Sequence, residues 1–134
     1  MANMPAFVTQ IQGIVSAAEW FATQKFTRQT IYKQYLTQVK DPVYPCITIA
    51  YLLDKREVFA DIDTGTLILG IHAKEYGTPE QVSKLLNDTL HLKTFATDDV
   101  ILYMCHAKGG PPQPLFNSQL NCWEVLNEFE IKVG

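Results

Sequence analysis

The segment Cys122 to Val133, CWEVLNEFEIKV, alternates with period two. Side chains of a strand point alternately to its two faces, so Trp123, Val125, Phe129, Ile131 and Val133 share one face. Glu124, Glu128, Glu130 and Lys132 take the other. A strand this long with one apolar face needs neighbours in a sheet and a second layer to cover it. A chain of 134 residues, 47% hydrophobic, has room for one such core, so residues 1–134 are expected to form a single domain.

The remaining segments supply the other parts. Phe7, Ile11, Ile14, Ala18 and Phe21 recur at helical spacing, which predicts a helix from about Pro5 to Phe21 with Asn3 and Pro5 at its start and Gly13 as a weak point. CITIAYLL (46–53) is an apolar run of strand length following the Asp41-Pro42 and Tyr44-Pro45 breaks. DKREVFADIDTG reads as a charged connection ending in a turn. In TGTLILGIHAKE, Leu67, Leu69, Ile71 and Ala73 alternate against polar or small residues, which predicts an antiparallel partner for the preceding strand.

Thr78-Pro79-Glu80-Gln81 has capping-box spacing with an early proline and opens a second helix. Its buried stripe is Val82, Leu85, Leu86 and Leu90. DVILYMCHA (99–107) is a further strand. KGGPPQPLFNSQ (108–119) is a loop bent by Gly109-Gly110 and stiffened by Pro111, Pro112 and Pro114, longer than a hairpin requires. The expected fold class is therefore α+β: a two-layer sandwich with a mostly antiparallel sheet of about four to five strands and two helices on one face.

Charge divides unevenly along the chain. Residues 1–53 hold four basic and two acidic side chains, and residues 54–134 hold seven and twelve, so a net charge of -3 splits into +2 and -5. The basic residues of the first part, Lys25, Arg28, Lys33 and Lys40, lie in one stretch, QKFTRQTIYKQYLTQVK (24–40), read as an edge strand or extended arm. Such an arm can pair phosphates while Phe26, Tyr32 and Tyr35 stack bases, can guard a sheet edge, or can contact an acidic surface on another copy of the chain. The last option suits head-to-tail association into a ring. The acidic total argues against a protein that coats nucleic acid.

No chemistry-bearing motif is present: no phosphate-binding glycine loop, GxSxG or HExxH. Catalytic residues, metal ligands and cofactors are all expected to be none. Asp61 and Asp63 read as a turn with two solvated acids, since the other ligands of a calcium loop are missing. Cys46, Cys105 and Cys122 read as buried free thiols of a reducing compartment. Cys105 and His106 are strand neighbours and point apart, while Cys46 or Cys122 meeting His72 or His106 across strands is the lesser option. His72 reads as a hydrogen-bonded or surface sheet histidine, with a ligand role the lesser option. The amino terminus lacks the pattern of a secretory signal, and the longest apolar run is too short to span a bilayer, so no membrane contact is expected.

The order of these segments resembles a known family. The amino-terminal helix, Ile31-Tyr32, YPCITI (44–49), GTLILGIHAK (65–74), TPEQVSKLL (78–86) and WEVLNEFEI (123–131) resemble the tail-terminator or tail-completion proteins of long-tailed bacteriophages, of the minor tail protein U type. The likeness runs from about Phe7 to Val133. It implies a non-enzymatic virion protein of the tail or neck, made in the host cytoplasm. Such a protein forms a hexameric ring on the tail tube protein, ends tail growth and offers a surface to a head-completion or connector protein. Double-stranded DNA passes through the bore without sequence-specific binding.

Subunit and tube contacts would fall on Lys25, Arg28, Lys33, Tyr35 and Lys40 of the arm and on Lys55, Arg56, Asp61 and Asp63 of the 54–65 connection. Lys108, Pro112 and Phe116 of the 108–120 loop complete the set. Acids of residues 54–134 would face the bore, where lysines would hold phosphates back. Another head-tail connector, neck or tail-tip adaptor is the alternative, and a small cytoplasmic enzyme or ligand-binding domain a more distant one.

Overall fold

Three long strands set the dimensions of the molecule: β2 (Cys46–Glu57), β3 (Ile62–Ala73) and β7 (Cys122–Val133), each of twelve residues and so roughly 40 Å long. The computed structural model describes residues 2–57, 60–109 and 112–134. Around the long strands stand α1 (Met4–Ala17), α2 (Glu19–Thr23), β1 (Ile31–Tyr32), α3 (Gly77–Leu90), β4 (Phe95–Ala96), β5 (Ile101–Ala107) and β6 (Leu115–Asn117). The strand order is β1-β2-β3-β7-β5-β4, and β6 pairs with β7 at the end of β7 that β5 leaves free.

This corrects the expected sandwich. Among the described residues the sheet has seven strands rather than four to five, it is mixed because β1 runs parallel to β2, it curls into a half-barrel, and three α-helices accompany it. β1, β4 and β6 are two or three residues long. A segment that short carries no readable period, and only pairing to a long neighbour makes it a strand.

Other boundaries also move. The single helix expected from Pro5 to Phe21 breaks at Ala18, where ψ is 142°. α2 then turns Phe21 onto Phe26, with ring centroids 5.7 Å apart, and sends Trp20 Nε1 to donate to Thr89 Oγ1 of α3 at 2.9 Å. At the start of α1, Asn3 Oδ1 accepts from the Ala6 amide at 3.1 Å, which satisfies one of the orphan donors of the first turn. The capping box foreseen at Thr78 is absent: α3 begins two residues earlier, at Gly77 rather than Pro79, and its N-cap, Tyr76, makes no side-chain capping bond.

The 54–65 connection is mostly strand, because β2 continues to Glu57 and β3 starts at Ile62. Most of its charges, Asp54, Lys55, Arg56 and Asp61 among them, stand in solvent on a hairpin that reaches past the core. The register slips between Leu53 and Lys55. Opposite the slip a glycine is required, since a Cβ on Gly65 would stand 2.2 Å from the Leu52 carbonyl oxygen. Val58 and Phe59, within that connection, and Gly110 and Pro111, within the 108–119 loop, lie outside the described residues.

The core lies on one face of the sheet. In register across β2, β3 and β7 run Ile47-Ile71-Val125 and Ile49-Leu69-Asn127, followed by Leu67 beside Phe129. Phe7, Ile11 and Val15 of α1 and Val82, Leu86 and Leu90 of α3 close over them, and Leu102 and Cys105 of β5 join from the side. Leu85, placed in the stripe of α3 by its spacing, is only half-buried. Each large apolar side chain so buried contributes about 1.5–3 kcal/mol. Asn127 is a polar residue of this face. Its amide donates to the Ser83 carbonyl at 3.0 Å and to Asn87 Oδ1 at 2.8 Å, and its oxygen accepts from Ser83 Oγ at 2.8 Å, fixing α3 on β7.

Candidate functional site

The second face of the sheet carries the polar groups. In the same pleat that places Ile71 inward, His72 points outward, with Cys46 of β2 on one side and Glu124 of β7 on the other. His72 is 4% exposed. Its Nδ1 lies 2.9 Å from Glu124 Oε2 and its Nε2 3.0 Å from Thr48 Oγ1, while Asn117 of β6 donates to Glu124 Oε1 at 3.2 Å. A chain of four side chains thus ties four strands together.

Gly70 makes the chain possible. A Cβ there would stand 2.5 Å from Thr48 Oγ1 and 2.6 Å from His72 Nε2. Burial lowers the His72 pKa from its usual 6.5, with the Glu124 carboxylate pulling it part of the way back.

Cys122 adds a thiol to this cluster. One donor atom each from Cys122, His72 and Glu124 lie within 4.8 Å of one another. The lesser option of the sequence, a cysteine meeting a histidine across strands, is therefore the observed one for Cys122 and His72. The signal was legible as C-x-E on a strand, since residues two apart share a face, but the register that brings His72 opposite Glu124 was not.

Cys46, Cys105 and Cys122 are all free and buried. Burial pushes the Cys46 and Cys105 thiols up to about 12 and raises Cys122 as well. Cys105 and His106 do point apart, the first buried and the second exposed.

All but Lys108 of the residues expected at assembly contacts collect at two ends of the long strands. At one end, the segment from Lys25 to Pro45 folds as two single 3₁₀ turns around β1 rather than as one extended arm. Lys25, Arg28, Lys33, Tyr35 and Lys40 are all exposed. Lys33 Nζ donates to Thr9 Oγ1 at 3.2 Å, and Tyr35 exposes 58% of its surface. Leu36 tucks under against Cys46 and Cys122, with Tyr32, Val39, Tyr44 and Leu120 around them.

The 112–120 loop meets the arm at this end: Tyr44 Oη donates to the Leu120 carbonyl at 3.5 Å, Lys74 Nζ to the Asn121 carbonyl at 2.7 Å, and Lys74 sits over the Tyr44 ring. Phe116 stacks edge-on against Trp123 with half its surface exposed, and Pro112 is partly buried. Lys108 stands apart from both, donating to Thr66 Oγ1 at 2.7 Å. A cleft of about 440 Å³ opens beside the arm between Lys25, Tyr44, Lys74, Glu75 and Gln81.

The other four residues lie at the far end, roughly 30 Å along the strands. Lys55 and Arg56 are exposed, and Arg56 pairs with Asp61 across the hairpin. Asp63 departs from expectation. It is 4% exposed, and its Oδ2 accepts from the Ala2 amide at 2.7 Å. It faces inward at an odd position of β3 and anchors the start of the chain, so it is no solvated turn acid.

No protein-family model matches this chain, and no curated protein matches it. A solved structure does. One chain of the "Virion of native gene transfer agent (GTA) particle" superposes on 92% of this chain over 90% of its own length, with a TM-score of 0.73 and 9% sequence identity. The two chains share a fold. At that identity the likeness resides in the arrangement of helices and curled sheet, not in particular side chains. Among the described residues no helix is long and apolar enough to cross a membrane.

Proposed function

We propose that this chain is a structural protein of a phage-like virion, and that within it the chain forms the ring that caps the tail tube. The observation that carries the reading is the fold match over nine-tenths of both chains to a component of a virion particle. The segment order resembling tail-terminator proteins narrows it to the cap. The first end of the molecule, with Lys25, Arg28, Lys33 and Lys40 exposed beside Tyr35 and Phe116, is the surface that meets a neighbouring subunit. The outer face of the sheet, where Glu128 and Glu130 are exposed, turns toward the bore. Carboxylates there repel phosphates and let duplex DNA slide. The hairpin tip with Lys55, Arg56 and Asp61 reaches beyond the ring body toward the tube or the head-side partner.

Light scattering of the protein alone and mixed with purified tail tubes, read alongside electron micrographs, tests this. The expected result is a ring of subunits, six by the family resemblance, on tube ends. Lys25→Glu combined with Arg28→Glu should remove the caps. A monomer that never caps a tube overturns the reading. Disrupting the gene separates the cap from a neck role: tails of uncontrolled length mark a terminator, and complete tails beside leaking heads mark a connector.

A further inference from the structure

We infer that Cys122, His72 and Glu124 form a binding site for one divalent cation of the zinc class. The three donors are a thiol, an imidazole and a carboxylate, the ligand types that zinc takes in proteins, and they stand on β3 and β7, adjacent strands paired over eleven positions. Their donor atoms all lie within 4.8 Å of one another. Around a tetrahedral zinc with bonds of about 2.0–2.3 Å, ligand atoms are spaced by roughly 3.4–3.8 Å. The widest separation therefore has to close by about 1 Å and the 2.9 Å His72–Glu124 contact has to open, changes of the size that side-chain torsions make.

The surroundings already have the form that a metal site needs. Thr48 Oγ1 faces Nε2 of His72, the ring nitrogen other than the one that meets Glu124, and Asn117 holds the second oxygen of Glu124. Such partners orient ligands from outside. The Thr48 hydroxyl can donate or accept. Without an ion, Nδ1–H donates to Glu124 and Thr48 donates to Nε2. With one, the imidazole proton resides on Nε2 and goes to Thr48, leaving the Nδ1 lone pair for the metal.

Binding releases the Cys122 thiol proton to solvent, and the imidazole stays neutral. Thiolate and carboxylate together then match the charge of a divalent ion. The ion enters from the Glu124 side, since that side chain is 24% exposed while Cys122 is fully buried.

Cobalt(II) titration of the intact protein, followed by absorption, tests the site, with zinc added afterwards as competitor. The expected result is one equivalent bound with a thiolate-to-cobalt charge-transfer band, bleached by zinc. Cys122→Ser loses the band, Glu124→Gln weakens binding by at least about tenfold, and Cys105→Ser, whose thiol lies in the other face's core, leaves the titration unchanged. Absence of the band from the wild-type protein, or its survival in Cys122→Ser, overturns the site. If Cys122→Ser does not fold, judged by circular dichroism, the wild-type and Glu124→Gln titrations decide: equal affinity in both overturns it. The outcome does not depend on whether the protein caps a tail.

Discussion

The two faces of β3 differ in how they are closed. At odd positions Leu67, Leu69 and Ile71 are covered by helices and fully buried. At even positions the cover changes along the strand: Thr66 and Ile68 are half-exposed, Gly70 leaves room for its neighbours, and His72 is sealed by hydrogen bonds and the arm. One face excludes water chiefly by apolar packing, with Asp63 and Asn127 hydrogen-bonded within it. The other does so only at one end, where polar groups satisfy one another.

If the inner face is a packed core, Phe129→Ala should cost about 3–5 kcal/mol in urea unfolding. A loss below about 1 kcal/mol would mean the helices follow the cavity inward and the contrast between the faces is weaker than drawn. Asn127→Leu probes the polar exception on that face. It leaves Ser83 and Asn87 without their partner and should cost about 2 kcal/mol despite adding apolar surface. A stabilised variant would show that the amide network does not hold α3 in place.

On the outer face, Gly70→Ala should cost about 1–3 kcal/mol by forcing Thr48 and His72 apart. The cost should shrink in a Thr48→Ala background, and additivity in thermal unfolding would refute the shared contact.

The thiols compare the faces directly, Cys105 lying under the helices and Cys46 under the arm, both pushed up from 9.0 to about 12. Above pH 9 the unfolded chain sheds these protons while the folded one keeps them, so stability is full below about pH 9 and falls as pH rises toward 12. The expected loss is about 1–2 kcal/mol per thiol by pH 10. Ellman's reagent should label neither thiol until the protein unfolds. Rapid labelling of Cys46 alone would show that the arm is a looser cover than the helices. Glu128→Ala, exposed in the middle of the outer face, should change stability by less than about 0.5 kcal/mol, and a larger change in calorimetry would mean that this part of the face is not solvated.

Alternation in Cys122–Val133 and 65–73 was enough to locate two of the three long strands, and the spacing of Phe7, Ile11 and Val82, Leu86, Leu90 enough to locate two helix stripes. A period is visible wherever it repeats over ten or so residues. β1, β4 and β6 escaped because two or three residues carry no period, and the break at Ala18 escaped because Phe21 keeps the spacing across it. Asp61 is exposed, as a solvated turn acid should be. Asp63 escaped, because an aspartate two residues after a turn looks the same whether it meets water or a backbone amide sixty residues away.

The sequence by itself determined which side of each long strand is apolar, since period two follows from the pleat and needs no partner. It also determined that positive charge gathers in 25–40 and that the thiols are unpaired. Only the tertiary structure decided that His72 stands opposite Glu124, with Cys122 beside them, and that the arm and the 112–120 loop meet. Those neighbours belong to strands fifty residues apart, and their register is set by how three strands, a bulge and a short parallel edge pack as a whole.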